Sequence, residues 1–185
     1  MIEGVFTGLR AVERRDLAQL LEWRNRPAFR RNFREVRELG MAQQERWFER
    51  TVLDDPGTHM FAIVERAGGA LIGACGLCYI DWVNRTADFS IYIGHQGLYI
   101  DDHYAPDAGR ALLGYGFGEL NLHRIWCEIY GLDQAKQRLL PRLGFTLDGR
   151  HRETHWAEGA WHDSLFFGIL DREFAARRDD IERAA

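Results

Sequence analysis

A chain of 185 residues, 46% of them hydrophobic and including six Trp and eleven Phe, carries enough apolar surface to build one sizeable core, which excludes a disordered chain. A formal net charge of -4 gives no general attraction toward nucleic acid or anionic lipid, since both require concentrated positive charge. No apolar run approaches the roughly 20 residues that span a bilayer, and the N-terminal MIEGVFTGLR lacks the basic-then-apolar layout of a signal peptide, so a cytoplasmic protein without membrane or nucleic-acid partners is expected.

Along the chain, residues 5–12 are short, apolar and β-compatible, and Asp16 then opens an amphipathic run with Leu17, Leu20 and Leu21 on one helical face. Pro27 interrupts it, and an Arg-rich stretch follows to about Arg37. MAQQERWFERTVLDD has helical spacing, with Trp47, Phe48, Val52 and Leu53 apolar, until Pro56-Gly57 stops it. Three β-like runs at 59–66, 70–80 and 86–94 predict an antiparallel meander. Pro106 fits a first helical position, and that helix runs to about Leu120. HRIWCEIYG at 123–131 is a strand, DQAKQRLLPRLGF a helix that ends near Gly144 and that Pro141 bends, and residues 145–152 and 161–170 are strands. The order predicts a single domain over residues 1–170, an α/β mixed sheet flanked by helices, with residues 171–185 as a charged, frayed helix or tail.

The segment YGFGELNLHR (115–124), followed by a strand, a short helix and Leu143-Gly144-Phe145, resembles the second half of GNAT-superfamily N-acetyltransferases. Gly149-Arg150-His151-Arg152-Glu153 and Gly159-Ala160-Trp161-His162-Asp163 are similar to the ending of the ribosomal-protein-alanine and spermidine N-acetyltransferase branches. The resemblance covers about residues 5–170. It implies a sheet splayed between the family's fourth and fifth strands, here the 86–94 and 123–131 segments, with acetyl-CoA as co-substrate in the gap. Phe89, Ser90, Ile91 and Tyr92 then lie near the thioester, where a fixed backbone N–H can stabilise the negative charge that develops on its oxygen.

An alkyl amine is mostly protonated at pH 7, so its attack on a thioester gains from a positioned base. Asp88 stands where related enzymes carry a base or amine anchor, and the alternative is a solvated carboxylate at a strand start. Glu128 alternates with Trp126 and Tyr130 on the next strand and is a second candidate. The family's Tyr general acid, in N-x-x-[AS]-x-x-x-Y, is absent: the register gives Asp133 for the Asn and Leu140 for the Tyr, leaving water, Tyr130 or Ser90. The glycine-rich loop that the family uses for the pyrophosphate is replaced by 100–107 (IDDHYAPD), of which only Ala105 keeps the pattern. There Asp101, Asp102 and Asp107 repel phosphate, while His103, Tyr104, Arg110, Arg138 and Arg142 are the available partners.

On the acceptor side, Trp23-Arg24-Asn25 and Glu45-Arg46-Trp47-Phe48 look like the W-R-N…W-F signature of branches that include nucleotide-linked amino-sugar N-acetyltransferases. Trp23, Arg24, Asn25 and Trp47 are candidate binding residues, the other reading being that the tryptophans anchor helices and Arg24 makes an ion pair. Three functions follow: transfer of an acetyl group to a primary amine on a small molecule or nucleotide-linked amino sugar, acetylation of a protein N-terminus, and a GNAT-fold binding module with impaired CoA binding. The expected partner is the small-molecule amine, with a homodimer as the alternative to a monomer. No metal is expected, because the seven His are unclustered and the C-x-x-C of Cys75 and Cys78 lies in a strand without a second ligand pair.

Overall fold

The computed structural model describes the backbone of residues 1–184 and the side chains of residues 1–177. Its first half runs β1 (Ile2–Glu3), β2 (Thr7–Ala11), α1 (Leu17–Asn25), α2 (Pro27–Arg30), α3 (Met41–Trp47), β3 (His59–Glu65), β4 (Leu71–Asp81) and β5 (Thr86–Ile93). The second half runs α4 (Tyr104–Gly114), β6 (Arg124–Tyr130), α5 (Gln134–Leu143), β7 (Thr146–Ala157), β8 (Ala160–Leu170) and α6 (Asp171–Ala184). Both α3 and α4 continue as π-helical turns, Phe48–Leu53 and Tyr115–Glu119.

The strands form one sheet in the order β1-β2-β3-β4-β5-β6-β8-β7. Every neighbouring pair is antiparallel except β5 and β6. Those two pair only at Thr86↔Arg124, Ala87↔Ile125 and Asp88↔Trp126, and beyond Asp88 they part. The expected splay is therefore present, and it begins at the candidate base. No helix among the described residues is long and apolar enough to cross a membrane.

Alternation along β5 serves two cores. Ala87, Phe89, Ile91 and Ile93 join the larger one, which α4 and α5 cover with Leu112, Leu113, Leu139, Leu140 and Leu143. Tyr92 belongs to the smaller one with Leu20, Trp23, Phe29 and Phe48 from the α1–α3 side. A single fully buried side chain such as Phe29 contributes about 1.5–3 kcal/mol. The helix α5 has a defined start and stop: the Asp133 carboxylate accepts the Lys136 N–H at 2.9 Å, and Gly144 closes the far end at φ 104°.

Several boundaries differ from the sequence expectation. β1 and α2 were too short to show a period, and the hairpin of β7 and β8 is longer than predicted. Helix α4 starts two residues before Pro106, because the Asp101 carboxylate accepts the Ala105 N–H at 2.7 Å; Pro106 still falls in the first turn, where no intrahelical N–H is required. Pro141 lies inside a continuous α5, near its end. Phe174 of α6 packs on the larger core, against Phe117 with ring centroids 5.3 Å apart. The fraying expected toward residue 185 falls on side chains outside the described residues.

Candidate active site

The splay leaves one edge of β5 open, and two hydrogen bonds fix which groups face it. The Gly94 N–H donates to the Ile72 carbonyl beyond the β4 pairing, whereas the Ile93 N–H turns the other way to the Tyr99 carbonyl, both at 2.8 Å. In an antiparallel ladder successive residues alternate direction, so the amides of Tyr92 and Ser90 point to β4 and those of Ile91 and Phe89 point the other way, Phe89 toward β6 at the last β5–β6 pair and Ile91 to the opening beyond it. The four residues expected near a thioester thus divide. Phe89 and Ile91 bury their side chains in the larger core and Ile91 offers its backbone to the opening, while Ser90 and Tyr92 turn their side chains into a cavity.

That cavity, of about 690 Å³, lies on the α1–α3 side, and Arg24, Trp47, Asp88, Ser90, Glu128 and Tyr130 are among its lining residues. Asp88 is 6% exposed. The Arg34 guanidinium bridges the two acids, Nη1 donating to Asp88 Oδ2 at 2.9 Å and Nη2 to Glu128 Oε2 at 3.1 Å. Burial pushes the Asp88 carboxyl up to about 6, against the downward pull of Arg34. An acid in that range is mostly ionised at neutral pH and still basic enough to take a proton. Glu128 also accepts the Ser164 hydroxyl at 2.6 Å, and Tyr130 stacks on His155 with centroids 3.6 Å apart.

Arg34 escaped the sequence reading because it sits in the aperiodic stretch between α2 and α3. Asn25 holds that stretch: its amide nitrogen donates to the Leu39 carbonyl at 2.8 Å, and its oxygen accepts the Leu39 N–H at 2.9 Å. Asn25 is therefore a loop anchor and does not line the cavity. Trp23 departs further from the expectation. It is 5% exposed in the smaller core, against Gly94, where a Cβ would stand 1.9 Å from the indole. Of the four acceptor candidates, Arg24 and Trp47 reach the cavity.

The altered loop also resolves into distinct roles. Asp107 does not face a phosphate site, because its carboxylate is buried and accepts the backbone N–H groups of Val5, Phe6 and Thr7. Asp101 occupies the Ala105 N–H, and Asp102 pairs with Arg142. His103 lies against the Phe6 ring at 4.2 Å, and the Tyr104 hydroxyl donates to Glu65. Ala105 is fully buried, and Arg110 is exposed and lines neither the cavity nor the cleft of Asp101, Asp102, Arg138 and Arg142. Asp133 uses its two oxygens on the Lys136 N–H and the Tyr99 hydroxyl, a capping role in place of the expected cofactor contact. Leu140 is 0% exposed in the larger core. Leu140→Tyr is accordingly expected to destabilise by about 1–3 kcal/mol through overpacking, read as a lowered urea midpoint, and not to supply an acid.

With this geometry in hand, the profile of the Acetyltransferase (GNAT) domain matches residues 7–146. The chain belongs to the GNAT acetyltransferase family. Over 117 residues it is 32% identical to the uncharacterized N-acetyltransferase p20 of Bacillus licheniformis, covering 62% of this chain and 64% of p20. It is 27% identical over 173 residues to the spermidine N(1)-acetyltransferase of Vibrio cholerae, covering 92% of this chain and 96% of that enzyme. A crystal structure of the Vibrio cholerae spermidine N-acetyltransferase in complex with CoA and spermine shares the fold, with a TM-score of 0.82 at 24% identity, covering 91% of this chain and 98% of that one.

Proposed function

We propose that this chain transfers an acetyl group from acetyl-CoA to the primary amine of a small molecule, amino sugars included. The observation that carries the reading is the opening of β5 at Asp88, which sets the free edge of the strand beyond Asp88 next to a cavity lined by that raised carboxyl. Acetyl-CoA supplies an activated acyl thioester. The Ile91 amide meets the negative charge that develops on the thioester oxygen, and being fixed in a strand it needs no reorganisation. Asp88 takes the proton that the amine loses as the C–N bond forms, the C–S bond breaks and CoA leaves as a thiolate that takes a proton from water, while Glu128 with Arg34 orients the amine.

The residues present suit the two ends of the co-substrate unequally. The open β5 edge fits an extended amide-bearing arm, whereas at the α4 N-terminus Asp101 and Asp102 stand where a phosphate would need N–H groups. Arg138, which has no ion-pair partner among the described residues, and Arg142 are the cations at that cleft. Calorimetric titration with acetyl-CoA tests the reading. Binding is expected with Kd above about 1 μM, equivalent to about -8.2 kcal/mol, and weaker at physiological than at low salt because exposed ionic contacts are screened over about 8 Å. An absence of binding at millimolar acetyl-CoA would remove the transferase reading, and sub-micromolar affinity would show that the altered loop is no handicap.

A further inference from the structure

The cavity is lined by six basic side chains, Arg24, Arg34, Arg37, Arg46, Arg50 and Lys136, and by four acidic ones, Glu35, Asp55, Asp88 and Glu128. All four acids are engaged. Glu35 pairs with Arg37, Asp88 and Glu128 share Arg34, and Asp55 accepts the Gly57 N–H and the Thr58 hydroxyl. Arg24, Arg46, Arg50 and Lys136 have no ion-pair partner among the described residues.

Lys136 is the strongest anomaly. It is the only lysine in a chain that otherwise uses arginine, it is 7% exposed, and it faces the cavity. An ammonium taken out of water costs several kcal/mol unless a counter-charge repays it. Its Nζ lies 5.6 Å from the Tyr99 ring centroid, and a cation–π contact of that kind offsets only about 0.5–2 kcal/mol. Arg24 approaches the same aromatic group from another side, with Cζ 4.9 Å from the Phe33 ring, which itself packs on Tyr99 and Tyr92 at 6.0 and 5.7 Å. One aromatic cluster thus carries two like charges into one cavity, neither with an ion-pair partner among the described residues.

We infer that the acceptor is an amine that also carries an oxyanion, a carboxylate or a phosphate, bound by Arg24 and Lys136 while its amine faces Asp88 and Glu128. This rests on the acetyltransferase reading above and narrows its substrate class. Lys136 and Asp88 line the same cavity, so the anionic and amine ends of the molecule belong close together. A polyamine, the substrate named for the Vibrio cholerae relative, would bring further ammonium groups toward four unpaired cations.

The test titrates the full chain calorimetrically with inorganic phosphate and, separately, with spermidine, each with and without saturating acetyl-CoA. Phosphate is expected to bind more tightly than spermidine and to stay bound with acetyl-CoA present. Arg24→Gln and Lys136→Met should each weaken phosphate by about tenfold or more, the loss of one charge-assisted contact, while Lys136→Arg retains it. With O-phosphoethanolamine as acceptor, Arg24→Gln should raise KM by about tenfold with little change in kcat. Tighter binding of spermidine, unchanged phosphate affinity in both charge-removing variants, or displacement of phosphate by acetyl-CoA would each overturn the inference, the last because the cations would then serve the donor. Failure of acetyl-CoA to bind removes the transferase reading alone, since the phosphate and spermidine titrations do not depend on it.

Discussion

Asp107→Ala is expected to lower the unfolding free energy by about 3 kcal/mol, because several donors lose the one acceptor they share. The Asp107 carboxylate is 2% exposed and accepts the N–H groups of Val5, Phe6 and Thr7, each at 2.9 Å, and the Thr7 hydroxyl at 2.7 Å. Removing it leaves three N–H groups without their partner at the junction of β2 and α4, at about 1–3 kcal/mol for each that stays buried. Burial raises the Asp107 pKa, but the hydrogen bonds from Thr7, Phe6 and Val5 outweigh it and hold the carboxyl below its ordinary value. A depressed folded-state pKa contributes stability above the unfolded value near 3.9 and loses it as pH falls through the lower folded value. Urea unfolding of wild type and Asp107→Asn should therefore differ more at pH 7 than at pH 3. Equal stability of the two proteins at pH 7 would show that the carboxylate charge contributes nothing there.

Asp88→Asn should lower kcat by about 10²–10⁴-fold, the range for loss of a general base, with a small change in urea midpoint because the side-chain shape is kept. Since burial raises the Asp88 carboxyl to about 6, wild-type turnover should climb as pH rises through that value and level off above it. The Asn variant should lack this limb. Arg34→Ala provides a second reading of the same group: with the cation gone, the downward pull on Asp88 is lost and the limb should move to higher pH. A pH–rate profile unchanged in Asp88→Asn, measured with any amine that turns over, would take Asp88 out of the reaction and leave Glu128, the other acid on Arg34, as the candidate base.

The parts that the sequence determined are those set by neighbours along the chain. The alternation of ADFSIYIG committed Phe89 and Ile91 to one face and Ser90 and Tyr92 to the other, and the caps of α5, Asp133 and Gly144, are local chemistry. The element order and motif spacing carried the family, because the splay and its flanking helices follow from topology. What only the tertiary structure decided is the direction of single charged side chains. Asp101, Asp102 and Asp107 are alike and lie within seven residues, yet one caps a helix, one pairs with Arg142 and one anchors the turn into β2, since each finds a different partner more than 30 residues away or within its own turn. Trp23 and Trp47 share a motif, yet Trp23 lies in the smaller core against Gly94 while Trp47 packs on the edge of that core and lines the cavity. Arg34 has no periodic context to place it, and its meeting with Asp88 and Glu128 depends on the Asn25 anchor and on two strands that part at that point. Lys136 likewise reads as an ordinary helix residue, because burial without a counter-ion is a property of what surrounds the first turn of α5 and has no signature in the residues beside it.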